Sequence, residues 1–247
     1  MGSEISQGGH KSMFLRKSLL ALVAITLLAF SPAPAVTADK DNDHAERALK
    51  AAEVLNETMG APDKGVPDYL LERAKAIAVI PHVVKGAFGV GGRYGKGLVI
   101  ARKGKGWGTP SYIDISGGSF GLQLGVSASD LVLIFTDDGG LKAMLEGKLK
   151  LGADAAVVAG PVGRHAEAGT DIKLKSGIYS YSRSKGLFAG VALDGAVLTI
   201  NDSANHEVYG KAVSGTDILM NGTVAPNATV MPFVRAVQKN VARAKTS

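Results

Sequence analysis

The sequence predicts an α+β domain: a single curled antiparallel β-sheet, barrel- or sandwich-like, packed with N-terminal and C-terminal helices. Two observations carry this. Apolar residues recur at spacings of three and four near both ends, the period of a helix with one buried face. Between Ala76 and Ile200 the chain breaks into short apolar or alternating runs separated by glycine and charged turn clusters, the rhythm of hairpins. No internal period of solenoid or propeller length interrupts this pattern.

The first segment is read as removable. Arg16 and Lys17 precede the apolar run LLALVAITLLAF (Leu19 to Phe30), and small residues follow at Ala35 and Ala38. A charged n-region, a short h-region and small residues at the cleavage point make a signal peptide, with residues 1–12 as an extension before Met13. A run of twelve residues falls short of the ~20 needed to span a bilayer. Residues 1–38 are therefore assigned to a signal peptide and 39–247 to one domain, exported to the periplasm or the outer-membrane surface. The chain has no cysteine. That excludes a disulfide framework and a cysteine-linked lipid anchor, so burial alone must hold the fold. About 210 residues can do that in one core. The formal charge of +6 falls to +4 once residues 1–35, with Lys11, Arg16, Lys17 and Glu4, are removed.

In order, Asp39 to Thr58 reads as an amphipathic helix with acids at its start and Ala45, Leu49, Ala52, Leu55 and Met59 on one face. GAPDKG (Gly60 to Gly65) is a loop, and Pro67 opens a second helix, PDYLLERAKA. The runs AIAVI, GLVIA, SYIDI, FGLQLGV, DLVLIFT, DAAVVAG, GIYSYS, LFAGVAL and AVLTI are strands. LKAMLEGKL, SGTDILM and the C-terminal stretch are helical. In the last, Val230, Phe233, Val234, Val237 and Val241 share a face, with Arg235, Lys239 and Arg243 outside it. Five apolar residues in one stripe suit packing against the sheet better than lying in a membrane interface.

Motifs for chemistry fail on spacing. KGAFGVGGRYGKG (Lys85 to Gly97) looks like a phosphate loop, but a P-loop needs glycine where Val90 stands and Ser or Thr where Gly97 stands. A dinucleotide fingerprint needs glycine where Tyr94 stands. GGSFG (Gly117 to Gly121) matches the nucleophile elbow, which makes a serine hydrolase using Ser119 the rival from another class. Strand-like sequence follows where the elbow needs a helix. Ser182 to Lys185 fits S-x-x-K without its companion triplets. The five histidines have no metal-ligand spacing, and Asp137-Asp138-Gly139-Gly140 reads as a turn. The expectation is a non-enzyme with no metal, no cofactor and no nucleic-acid partner.

Charge placement says more. From Arg73 to Ile113 there are eight basic residues and no acid before Asp114. Phe88, Tyr94, Trp107 and Tyr112 are interleaved, aromatics of the type that settle at a headgroup interface. Were these strands a hairpin, Arg102, Lys103 and Lys105 would share its tip beside Trp107. The same pattern suits a patch facing anionic lipid and a solvated hairpin tip.

Four blocks in order, KGAFGVGGRYGKGLVIAR, GGSFGLQLGVSASDLVLIF, AGPVGRHAEAGTD and IYSYSRSKGLFAGVALDGAVL, closely resemble the SYLF domain family over residues 45–225. The resemblance implies a lipid-binding domain. Eukaryotic members bind phosphoinositides and some bundle actin, and bacterial members with an export signal are envelope proteins. The basic positions inside the matched blocks are Lys85, Arg93, Arg164, Arg183 and Lys185. No FYVE or SH3 module accompanies them in this sequence, and an exported protein would meet neither actin nor phosphoinositides in its own cell.

The resulting expectation is non-catalytic binding of anionic phospholipid or a membrane surface. The candidate contacts are Lys85, Arg93, Lys96, Arg102, Lys103, Lys105, Trp107, Arg183 and Lys185. A structural envelope module that binds another envelope protein is the remaining alternative.

Overall fold

The computed structural model describes residues 37–61, 65–88, 90–120, 125–161, 177–184, 187–191, 193–210 and 212–245. The chain separates into two compact units, Met1–Ala38 and Asp39–Ser247. The first lies almost wholly outside the described residues, as do the expected signal peptide and the AGPVGRHAEAGTD block from residue 162 on. Among the described residues no helix is long and apolar enough to cross a membrane.

The second unit is built on a curled sheet of ten strands. These are β1 (Ala76–Phe88), β2 (Val90–Lys103), β3 (Gly106–Trp107), β4 (Ser111–Phe120), β5 (Gly125–Phe135), β6 (Leu149–Lys150), β7 (Val157–Ala159), β8 (Ile178–Ser184), β9 (Leu187–Gly190) and β10 (Ala196–Ile200). The order across the sheet is β6-β10-β4-β2-β1-β5-β8-β7, with β3 paired to β2 and β9 to β8. Every pairing is antiparallel except β7 with β8, which departs from the all-antiparallel expectation. The helices are α1 (Thr37–Gly60), α2 (Asp68–Arg73), α3 (Gly139–Leu145), α4 (Asp202–Tyr209) and α5 (Met231–Ala244), with a π-helical turn at Asp217–Asn221. Helix α2 stops sooner than the expected PDYLLERAKA, because Ala74 turns into extended backbone. Helix α4 has no counterpart in the sequence reading.

Alternation along the strands gives the sheet two buried faces. Ile77, Val79, Leu98, Ile100, Tyr112, Val132, Ile134 and Tyr181 pack with α1, α2 and α5. Ile80, Val99, Ile113, Ile115, Leu133, Phe135 and Leu198 face the other way, onto Leu141 and Met144 of α3 and Ile218 and Leu219 of the π turn. Helix α5 buries Phe233, Val234, Val237 and Val241 and leaves Arg235 and Lys239 exposed, as the stripe predicts.

Strand β1 changes phase halfway. Ile80 lies opposite Leu131 of β5 and Val83 opposite Ser129, so Pro81 and His82 together face the single residue Asp130. This is a β-bulge. His82 takes φ 52°, and its N–H donates to Asp130 Oδ1 at 2.9 Å. Proline has no N–H for a ladder, so its place in a central strand is at such a bulge. Beyond it Val84 turns to the α1 side and Lys85 to the α3 side. Nearby, Gly97 of β2 crosses under β1 so closely that a methyl there would overlap the Val79 carbonyl and sit 2.8 Å from Ile80 Cα.

Candidate functional site

The basic residues singled out on the β1–β3 segment divide into two groups, with Lys96 and Arg102 six residues, about 20 Å of extended strand, apart on β2. At one end of β2 is the expected hairpin, with Arg102 opposite Trp107, Lys103 opposite Gly106, and Gly104 in the left-handed region at φ 54°. Arg102 is committed inside the protein. Its Nε donates to Ala74 O at 2.6 Å, and its terminal nitrogen donates to Leu71 O at 3.0 Å and Glu72 O at 3.2 Å. Its guanidinium stacks 4.7 Å from the centre of the Trp107 ring. Arg102 thus caps the open carbonyls at the end of α2, a place where a cation is favoured. Burial holds its guanidinium below the usual arginine range. Lys103 donates to Met220 O and closes the π turn in the same way. Trp107 is half-buried against the α1-side core. Lys105 at the tip is exposed.

The second group lies past the bulge. Lys85 of β1 sits directly opposite Arg93 of β2, both on the α3 side. Like charges in direct cross-strand register repel. Arg93 is half-buried, its Nε is enclosed without a hydrogen-bond partner among the described residues, and burial lowers its pKa while Asp194 raises it. On the α1 side, Val84 faces Tyr94 across the same two strands. They are 39% and 51% exposed, two of only four large apolar side chains that open among the described residues. Lys96 follows on β2 and is exposed. Arg183 is elsewhere, paired with Glu57 of α1 and 3.9 Å from Asp130. Lys185 lies outside the described residues.

A groove of about 320 Å³ runs beside the Val84–Tyr94 pair, between the bulge and the Asp43, Glu46, Arg47 and Lys50 side of α1. A second cavity of about 220 Å³ continues from it toward Asn201, which caps α4, and Ser203 and Glu207 within that helix, sharing Asp43, Arg47 and Lys96 as walls. Behind it is a buried network. His44 Nε2 meets Glu207 Oε2 at 2.8 Å, and the Tyr112 hydroxyl donates to His44 O at 3.1 Å. The two rings meet edge to face with centres 5.1 Å apart, and Arg47 lies 5.6 Å over the Tyr112 ring. Arg47 was not among the residues the sequence pointed to. It stands 49 positions before Lys96, and only the docking of α1 on the sheet brings them together.

Ser119 lies within β4, opposite Gly91. The chain next described is strand β5, so the strand-to-helix turn of a nucleophile elbow is not formed at that serine. Among the described residues no group of three His, Asp or Glu side chains could hold a metal ion.

Comparison with known proteins matches residues 116–240 to the family model Ysc84, described as "Las17-binding protein actin regulator". The chain is 36% identical over 186 residues to a human SH3 domain-containing YSC84-like protein 1, covering 72% of this chain and 54% of that one. It is 36% identical over 199 residues to the Saccharomyces cerevisiae Protein YSC84, covering 76% and 42%. The Xenopus laevis SH3 domain-containing YSC84-like protein 1 is 37% identical over 169 residues, covering 66% and 50%. The chain thus spans about half the length of the curated relatives it matches.

Proposed function

The chain belongs to the Ysc84 (SYLF) family, and on that premise we propose that it binds anionic phospholipid surfaces without catalysis, through the bulged end of the β1–β2 hairpin. The carrying observation is the exposed Val84–Tyr94 pair at a hairpin end that carries Lys96 on the same face and Lys85 and Arg93 on the other. A tyrosine with an apolar neighbour can enter the headgroup layer, and each adjacent cation adds about 1 kcal/mol at an anionic surface. Arg93 Nε, which has no acceptor among the described residues, supports the same reading, since a buried donor without an acceptor is costly until an anion supplies one. The n- and h-regions of residues 16–30 support export, so the membrane in question is that of the cell envelope.

Co-sedimentation tests the reading. With vesicles of phosphatidylcholine alone the protein stays in solution. With phosphatidylglycerol added it pellets, less so as salt rises. Equal, negligible pelleting with both overturns the proposal.

The family description, with its Las17 binding and actin regulation, supplies a second reading as a protein-docking module. The observation favouring it is the mixed charge along the groove, Asp43 and Glu46 beside Arg47 and Lys50, which suits a polar protein rim. Retention of a protein partner by a preparation that ignores both vesicle types would select it.

A further inference from the structure

The two cavities along α1 meet at Arg47 and Lys96, and neither cation has an ion-pair partner among the described residues. Acids are close enough to have supplied one. Asp114 is the cross-strand neighbour of Lys96, yet both its carboxylate oxygens accept from Asn201 Nδ2, at 3.1 and 3.0 Å. Glu207 is held by His44. Asp43 lies one helical turn before Arg47 but makes no ion pair with it. Asp114 and Glu207 are therefore hydrogen-bonded to other side chains, and two cations from different elements face one space, with Asp43 as the remaining acid on its wall. The walls change character on either side of them. Outward lie Val84, Tyr94 and Pro81; inward lie Asn201, Ser203 and Glu207.

We propose that this junction is a headgroup pocket for a single phosphate ester. The phosphate sits between Arg47 and Lys96, the hydroxyl-bearing part of the headgroup enters the inner cavity, and the apolar stem lies over Val84 and Tyr94. Arginine suits the phosphate because its planar fork donates two hydrogen bonds at once. Asp43, which borders both cavities beside Arg47 and Lys96, and Glu46 at the outer rim oppose an anion, and Lys50 offsets part of that. The pocket deepens the surface-binding reading and rests on it for the lipid source, because a soluble phosphate ester has the same chemistry.

Calorimetry on the full chain, with glycerol 3-phosphate and inorganic phosphate as soluble probes, separates the sources alongside the phosphatidylglycerol vesicles. The wild type is expected to take the ester more tightly than inorganic phosphate. Arg47→Gln and Lys96→Gln should each weaken ester binding roughly tenfold, the value of one charge-assisted hydrogen bond. Arg47→Lys should recover part of the loss, Asp43→Asn should tighten binding severalfold, and Lys105→Gln should change nothing. No ester binding by the wild type, or unchanged binding in both Gln variants, overturns the pocket. Ester and inorganic phosphate bound equally well would make this a free-phosphate site and overturn the headgroup assignment. Vesicle pelleting that survives Arg47→Gln while ester binding is absent removes the pocket and leaves the surface reading intact. Ester binding without vesicle pelleting does the reverse.

Discussion

The side-chain oxygen of Asn205 accepts the backbone N–H of Tyr112 at 2.9 Å. Strand β10 pairs with β4 only as far as Ile200 opposite Ile113, so Tyr112 lies one step past the end of the ladder. Asn201 N–H donates to Tyr112 O at 2.9 Å, and Asn205 Nδ2 donates to Ser111 Oγ at 2.9 Å. Helix α4 thus continues the sheet edge with a side-chain amide. Asn205→Ala would leave a buried N–H unpaired and should cost about 2–3 kcal/mol, read as a lower urea midpoint with unchanged m.

Two glycines of the Lys85–Gly97 segment should behave oppositely. At Gly97 a methyl meets backbone of β1, whereas at Gly92 it comes no nearer than 4.0 Å to the Gly117 carbonyl. Gly97→Ala should destabilise by about 1–3 kcal/mol, a fall of several degrees in Tm, and Gly92→Ala should stay within about 0.5 kcal/mol of wild type.

Alkali should unfold the protein through its buried phenols. Burial, the largest cause in each case, raises the pKa of Tyr112, Tyr181 and Tyr209 above the usual tyrosine range. A folded-state pKa above the unfolded one means the stabilisation is complete below about pH 10 and is lost as pH rises beyond it. Absorbance at 295 nm should show these three ionising only together with loss of near-ultraviolet circular dichroism. Their ionisation in a still-native spectrum would refute this.

Membrane contact should depend on one end of β2. Lys85→Glu or Arg93→Glu reverses a charge beside Tyr94 and should weaken phosphatidylglycerol binding by about 2 kcal/mol and flatten its salt dependence. Lys105→Glu, at the far end, should have little effect. Trp107 under Arg102 is the sole tryptophan, so intrinsic emission should not shift on binding, whereas Tyr94→Trp should blue-shift.

Below the usual aspartate range a smaller effect is expected at the π turn. Ser214 Oγ donates to Asp217 Oδ2 at 2.6 Å, its N–H donates at 3.1 Å, and Asn221 Nδ2 donates to Oδ1 at 3.0 Å. These bonds hold the carboxyl below its ordinary pKa, the Ser214 side chain contributing most. The stabilisation is present above the unfolded pKa and vanishes as pH falls through the folded one. Wild type should therefore exceed Asp217→Asn in stability at pH 6, and the two should converge in acid.

Helices α1 and α5 were legible because an apolar stripe repeats through each, although in α1 the buried face runs through Ala48, Ala51 and Leu55 and leaves Leu49, read as part of the stripe, 49% exposed; the strands were legible because glycine punctuates them. Helix α4 was missed although Asn201 and Asp202 carry its start signal, with Asn201 Oδ1 accepting from Ala204 N at 2.9 Å. An eight-residue helix with few apolar positions has little periodicity to read. The site was legible as charge but not as commitment. Nothing local distinguishes Arg102, which caps a helix end, from Lys105, which does not. Arg47 could not be found, because its neighbour at the cavity is set by tertiary docking.

The bulge at Pro81 and His82 has a consequence for variation within the family. Because one surplus residue resets which way the pleat points, the two ends of β1 answer to separate constraints. Residues 76–80 must interlock with both cores, while the outer segment from Val84 to Tyr94 can be exchanged as a cassette. A relative's residues grafted there should alter what the surface recognises without disturbing the scaffold, whereas deletion of His82 alone would leave Pro81 opposite Asp130 in a plain ladder, with the outer side chains on their present faces and a proline in a central strand without its bulge.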